Sequence, residues 1–438
     1  MNPFWKISLI TLAVFILLLA GVMGYLVALT DQNTYKPLIS QWVKEKTQRE
    51  LTFSGDIKLT FSPRFGIHLN HLSLSEFQSD KEFARVERVF LSLSLQPLVN
   101  KQLVIHEITL HGLTGTVIRF ADGRLNIDDL LATGEESLPF EFYIDQVRVE
   151  QAALTFHDAL HEQQVAWSDL NLEIGQITKE SVDNLMLTSK GHATNFAKND
   201  AYNFVVRLDV PNLQFGLGHI ASGEVSLITK VTQQQNRLNG KFTLSNLTRS
   251  GDHFASDLMA IELVTEKEAQ IARIHLSSPV VVNLKTRQVN LPDITTLLSL
   301  STPDFPDHPR SGILQGNFAA EGLAKHIQVN LAGNIEDSQI KVEFNMLGFE
   351  KPAFNVAIDI DQLNMDRWLP KSHEKTRQAS PTENKQALKA QLNDRFGFSV
   401  LTDLNANGSI RIGSLRSGDL TLSGIRFEFL SDASPFNR

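Results

Sequence analysis

From residue 51 onward, apolar and polar side chains alternate with a period of two, the pattern of strands that bury one face. Leu51, Phe53, Ile57, Leu59 and Phe61 alternate with Thr52, Ser54, Asp56, Lys58 and Thr60. Val89, Leu91, Leu93 and Leu95 alternate with Phe90, Ser92, Ser94 and Gln96. The same pattern returns at 204–210, 225–229, 271–276, 327–331, 340–344 and 354–360. Turn chemistry separates these runs at Ser62-Pro63, Asp122-Gly123, Asn239-Gly240, Asn407-Gly408 and Ser417-Gly418-Asp419. Helical periodicity is scarce beyond residue 50, with brief helical turns expected near 127–131 and 294–300. The chain is therefore expected to be mainly β: an N-terminal transmembrane helix, a short amphipathic helix, then a long twisted antiparallel sheet forming an apolar groove.

A short unit interrupts the alternation: apolar, two residues, apolar, one, apolar. It occurs as Ile105…Ile108…Leu110, Ile144…Val147…Val149 and Trp167…Leu170…Leu172, with a variant through Ile67, Leu69, Leu72 and Leu74. One extra residue would carry every later side chain to the opposite face, so a bulge or tight turn is expected inside each unit. Recurrence at roughly 38 residues points to a sheet built by repetition.

The first 50 residues follow another rule. Residues 7–29 carry no charge, and as a helix they reach about 35 Å, enough to cross a bilayer core of about 30 Å. A cleaved signal has a shorter apolar run of roughly 7–15 residues, so 1–30 reads as a retained anchor. Charge counting leaves orientation open: Lys6 precedes the run, whereas Lys36, Lys44, Lys46 and Arg49 follow it, yet large domains cross largely regardless of charge. Within 31–50 an amphipathic helix is expected, with Thr34 as N-cap, Pro37 in the first turn, and Leu38, Ile39, Trp42 and Val43 on one face. It would plug one end of a sheet or lie on a membrane surface. The body then divides into β regions at 51–200 and 201–370, a charged linker at 371–391 and a further β region at 392–438. The linker's only large apolar side chain is Leu388, too little to bury.

Composition narrows the chemistry. A net charge of −8 and no dense basic stretch exclude a nucleic-acid footprint. The absence of cysteine removes disulfides, thiolate nucleophiles and cysteine-ligated metals, and tilts the orientation toward the periplasm. The pairs His68/His71, His106/His111 and His157/His161 lack the helical context a zinc site needs, so no metal or other cofactor is expected. Gly216-Leu-Gly218 reads as a turn, because a strand and not a helix follows it. Asp128-Asp129 reads as a turn or helix-start acid pair, and Asp359/Asp361 as the solvent-facing positions of a strand at 356–360 and its exit. Without GxSxG, a P-loop or a compelling Ser–His–Asp arrangement, no enzyme is expected.

Several segments resemble the AsmA family, of the wider AsmA/TamB-like, chorein-like group. They are Gly55-Asp56-Ile57, Pro63-Arg-Phe-Gly66-Ile67-His-Leu69, Leu95-Gln-Pro97-Leu98 with Ile105 to Gly112, and Asp122-Gly123-Arg124-Leu-Asn126 followed by Leu130-Leu131. The most specific is the strand ending in Asp361-Gln-Leu-Asn-Met-Asp366-Arg367-Trp368-Leu369, with Trp368 where the family has Tyr. The resemblance implies an inner-membrane anchor, a periplasmic body, and a part in outer-membrane biogenesis through phospholipid movement. The implied partners are the membrane, phospholipid acyl chains and an envelope protein. Family members continue past the position of Arg438, so the chain looks C-terminally shortened. The helices are too few to cover a long sheet with one apolar face. That face is folded on itself, giving an envelope assembly factor with a closed β core, or it holds lipid. The candidate lipid-facing residues are Ile57, Leu59, Phe61, Ile67, Leu69, Leu91, Leu93, Leu95, Ile105, Ile108, Leu110 and Val117.

Overall fold

The computed structural model describes residues 32–60, 64–94, 96–97, 102–131, 141–196, 200–216, 219–303, 309–349, 352–368, 406–418 and 420–429. The expected anchor, the linker, the Ser62-Pro63 turn, Phe61 and Leu95 lie outside the described residues. Among the described residues no helix is long and apolar enough to cross a membrane. The chain is mainly β and mostly antiparallel, in two compact units that divide between Gln234 and Gln235. The sequence-drawn boundary at 200/201 falls at the start of a strand, Asp200–Gly216.

In the first unit, β1 (Leu51–Phe53) and β2 (Ile57–Thr60) pair along β3 (Phe65–Ser75), which pairs with β4 (Glu82–Ser94). The expected single run from Leu51 is thus broken at Ser54–Gly55–Asp56, opposite a bulge at His71, where φ is +51°. Only glycine fits at Gly55, because a Cβ there would lie 2.6 Å from the Asn70 carbonyl oxygen. Next come β5 (Gln102–His111) and β6 (Thr114–Arg119) end to end, then β7 (Glu141–Ile144) and β8 (Val147–Asp158) end to end. These two lines run parallel to each other, a correction to the all-antiparallel expectation. A parallel neighbour needs a crossover longer than a hairpin, and residues 120–140 supply one, with a helical turn at Asp128–Leu131. The sheet continues antiparallel through β9 (Gln163–Ile174), β10 (Ser181–Asn195), β11 (Asp200–Gly216) and β12 (His219–Ser222) with β13 (Val225–Gln233).

The expected irregularities are present. The register of β4 with β5 shifts beside His106, a break separates Ile144 from Val147, and Asp169 stands at φ +48° where β8 and β9 slip. Each keeps the apolar side chains on one face.

In the second unit β14 (Asn236–Ser245) and β15 (Leu247–Ser250) lie end to end along β16 (His253–Lys267), and β17 (Gln270–Asn283), β18 (Gln288–Ser301), β19 (Arg310–Glu321), β20 (His326–Ile335), β21 (Ser338–Leu347) and β22 (Ala353–Asn364) follow in antiparallel succession. β23 (Ala406–Ser417) lies parallel to β22, and β24 (Leu420–Phe429) returns antiparallel. The helical turn expected at 294–300 is instead part of β18, where Ile294, Thr296, Leu298 and Leu300 alternate. Asn239-Gly240 and Asn407-Gly408 are also not turns but lie inside β14 and β23. At Gly408 the missing side chain gives room to the Phe429 ring of the neighbouring strand.

The amphipathic helix α1 is Lys36–Thr47, preceded by a 3-10 turn at Gln32–Tyr35. Tyr35, not Thr34, occupies the N-cap position, without a side-chain cap bond. Val43 is buried, Tyr35 and Ile39 pack into the core of the first unit, and Leu38 faces outward at 60% exposure. The plug reading thus accounts for Tyr35, Ile39 and Val43. Leu38 departs from the shared face expected of it.

Candidate functional site

Following cross-strand partners shows which side chains share a face. In the first unit the pairs Ile57/Leu69, Leu59/Ile67, Ile67/Leu91, Leu93/Ile105, Leu91/Ile108 and Ile108/Val147 put the predicted residues side by side. Ile57, Ile67, Leu69, Leu91, Leu93, Ile105 and Ile108 are each 9% exposed or less and form one cluster with Tyr35 and Ile144. Leu59 packs half-buried against that cluster, and Leu110, opposite Val89 and Val149, is half-buried on the same face. Val117 stands apart. It pairs with Phe156 in a second stretch of the face, where Leu154, Phe156, Val165, Trp167, Tyr202 and Phe204 are all half-buried. There Trp167 meets Phe204 edge-on at 6.4 Å across Gly191, whose missing side chain leaves room for the Phe204 ring. The face is therefore sealed next to α1 and open farther along.

The second unit carries the longer open stretch. One file of partners reads Ile294, Gly316, Leu331, Val342, Ile358, Ile410 and Phe427; the next reads Leu291, Phe318, Val329, Phe344, Val356, Gly408 and Phe429. A third reads Val289, Ala320, Ile327, Met346, Phe354 and Ala406. None contains a polar side chain, and all but Ile294, Ile410 and Ala406 keep some solvent exposure. The opposite face reads Gln315, Ala332, Lys341, Asp359, Arg411 and Arg426 along one file. Ion pairs run across it, Lys341 with Glu343 at 2.6 Å and Arg411 with Asp359 at 3.5 Å. Lys341 and Asp359 are cross-strand partners. The Lys341 side chain holds the Glu343 carboxyl below its ordinary range and is itself raised by it.

Sequence comparison decides what kind of molecule this is. The AsmA family model matches residues 1–426. The chain belongs to the AsmA family. No curated protein and no solved structure matches it. Two of the segments that carry the AsmA resemblance lie beside parallel strand pairs, β6 with β8 and β22 with β23. Asn126 is tied to the first: its amide donates to Glu76 and to the Thr116 carbonyl, and its Oδ1 accepts from the Ile118 N–H. Three residues on, Asp129 grips Arg49, a side chain with no exposed surface. Arg49 Nε and Nη2 donate to the two Asp129 oxygens at 2.7 Å each, and its remaining donors reach the carbonyls of Ser75 and Asn126. Beside the second pair Asp366 accepts the Gly418 N–H, and Arg367 pairs with Asp337 at 2.5 Å. From sequence Asp128-Asp129 reads as a turn or helix-start pair. That holds for Asp128, which accepts from the Leu125 N–H, but Arg49 as partner of Asp129 lies 80 residues away and left no local signal.

Two polar groupings were also missed. Ser94 Oγ lies 2.8 Å from His106 Nε2, and His106 Nδ1 lies 2.7 Å from Asp145. This is the spacing of a hydrolytic triad, which left no sign in the sequence because its members lie 12 and 39 residues apart. Ser94 itself is the last residue of β4, paired with Val104 on the face opposite Leu93, and not on the strand-to-helix turn that presents a nucleophile. The second is Asp158, nearly buried, which accepts from Arg119 at 3.0 Å and meets His161 Nδ1 at 2.9 Å. Burial alone would raise its carboxyl; the His161 side chain and backbone, with Arg119, outweigh that and hold it below the ordinary range. His157 and His161 do bracket a turn, and His161 serves this carboxylate. No group of three His, Asp or Glu side chains with metal-binding spacing occurs among the described residues.

Proposed function

We propose that this protein, anchored in the inner membrane with its body in the periplasm, serves outer-membrane biogenesis by binding or conducting phospholipid along the open apolar faces of its sheets. Family membership supports an envelope role. The observation that carries the finer reading is the set of three adjacent apolar files across β18 to β24, partly exposed at all but Ile294, Ile410 and Ala406 and free of polar side chains. A contiguous apolar surface of that extent on a soluble body marks a binding site. Six strand spacings of about 4.8 Å make it roughly 29 Å wide, close to the roughly 30 Å of two opposed acyl layers in a bilayer. Taking one 16-carbon chain from bilayer into water costs about 12 kcal/mol, at about 0.8 kcal/mol per CH₂. A few isolated apolar residues do not offset that, whereas a continuous face does. The residues proposed as lipid-facing from sequence divide accordingly: those in the sealed cluster form the closed end, and Val117 belongs to the open stretch.

The test is native mass spectrometry of gently extracted full-length protein, with lipid phosphorus measured per chain. Bound phospholipid is expected, reduced in Leu331→Asp and Phe344→Asp but unchanged in Lys341→Asp on the polar face. No lipid in the parent protein overturns the reading. The sealed cluster of the first unit favours a second role, as an assembly factor with a closed core, which predicts an envelope protein crosslinked to that unit.

A further inference from the structure

The apolar files of the second unit do not end open at β24. Met365, with no exposed surface, sits among Ile410, Ile412 and Leu415, and Ile358, Ile360 and Phe427 pack around it. It opens a helical turn of four residues, Met365–Trp368. So short a turn gains little from its own hydrogen bonds, and its seat depends on side-chain ties. Those ties run from a nearly buried pair, Arg310 and Glu336 at 8% exposure each, out to the surface. Arg367 meets Asp337 at 2.5 Å and Glu336 at 3.9 Å, Arg310 donates to the Arg367 carbonyl at 2.8 Å, and Asp366 accepts from Gly418. The Arg367 and Asp337 side chains are 40% and 63% exposed, where an ion pair contributes little and salt screens it. In the first unit the corresponding plug, Tyr35 with Ile39 and Val43, is followed by the fully buried Arg49 and its bidentate Asp129. One plug is thus followed by a wholly buried arginine, the other held by a network whose outer end, Arg367 with Asp337, is exposed.

We infer that the Met365–Trp368 turn is a releasable stopper on the apolar face of the second unit, with Arg367 as its latch. Release adds Ile410, Ile412 and Leu415 to the surface open to an acyl chain and lets that chain extend over β23. The stopper's purpose rests on the acyl-chain reading above; its mobility does not.

Because the chain has no cysteine, a single introduced thiol reports one position only. The full chain carrying Met365→Cys is treated with a maleimide probe, beside separate chains carrying Val43→Cys or the exposed Leu38→Cys. Modification of Met365→Cys is expected to be slower than that of Leu38→Cys and about tenfold faster than that of Val43→Cys, since local opening precedes reaction. Adding Arg367→Gln, or raising salt, speeds the Met365→Cys reaction about two- to fivefold and leaves Val43→Cys unchanged. Should Met365→Cys fail to fold, Leu415→Cys in the same cluster serves as reporter. Equal rates at positions 365 and 43, or no effect of Arg367→Gln, overturn the inference. Lipid phosphorus is measured on the same samples. If labelling behaves as expected and no sample holds phospholipid, the stopper stands and the acyl-chain reading falls.

Discussion

Arg49 offers the sharpest energetic test of how the closed end is held. Arg49→Met keeps most of the stem volume but removes every donor. The Asp129 carboxylate, 15% exposed, loses its cation, the carbonyls of Ser75 and Asn126 lose a donor each, and the contact with the Phe83 ring at 4.7 Å goes too. Removing one partner of a buried pair costs about 3–5 kcal/mol, mostly through the charge left behind. Asp129→Leu is expected to cost a similar amount. The double variant, with neither charge present, recovers most of the loss, because a buried ion pair is itself nearly balanced against apolar replacement. Hydrogen exchange is the suitable readout, since it reports α1 and β1 separately from the second unit. Protection of the α1 and β1 amides falls by roughly a hundred- to a few-thousandfold in Arg49→Met, at about 1.4 kcal/mol per factor of ten. A fall below about tenfold, or a double variant whose loss equals the sum of the singles, refutes the clamp.

Other residues make separate expectations. Leu93→Asp places a carboxylate in the sealed cluster at a position 1% exposed, and is expected to abolish folding of the first unit, seen as lost β signal in circular dichroism. Leu331→Asp, on the half-exposed face, leaves the melting temperature within a few degrees while removing bound lipid. In Gly191→Ala the new Cβ would stand 2.1 Å from the Phe204 ring and 2.8 Å from the Ala166 carbonyl oxygen, so about 1–3 kcal/mol is lost in urea unfolding. Asp158 gives a pH signature. Its folded-state carboxyl titrates below the ordinary value of 3.8, so its contribution is complete above that value and disappears as pH falls through the folded pKa. Urea midpoints of the parent and Asp158→Asn should differ at pH 6 and converge in acid; a constant gap contradicts the assignment.

Much of this was legible because strand alternation and bulge spacing are local. The Ile105–Leu110 and Trp167–Leu172 units announced their irregularities through one residue too many, and the structure places a slip in each. Leu51 to Leu59 announced a common apolar face but not the break at Gly55, which depends on Asn70 across the sheet. Asn-Gly pairs misled at 239 and 407, since a glycine inside a strand, such as Gly408 beside the Phe429 ring, and a glycine in a turn look alike in one dimension. The candidate wall was read from one strand at a time. What separates Leu93, sealed, from Phe344, open, is not their own pattern but whether folding gathers other apolar side chains, Ile105 and Ile144 among them, into a closed cluster around them. Arg49 with Asp129, Ser94 with His106 and Asp145, and Arg367 with Asp337 are all joined only by folding.

The most direct test of the central claim is a photo-crosslink in living cells. A benzophenone side chain at Phe344, on the open apolar face, is compared with one at the adjacent Glu343, on the polar face. Acyl-chain binding predicts an adduct of phospholipid mass at position 344 and none at 343. No lipid adduct at 344, or equal adducts at both, contradicts it.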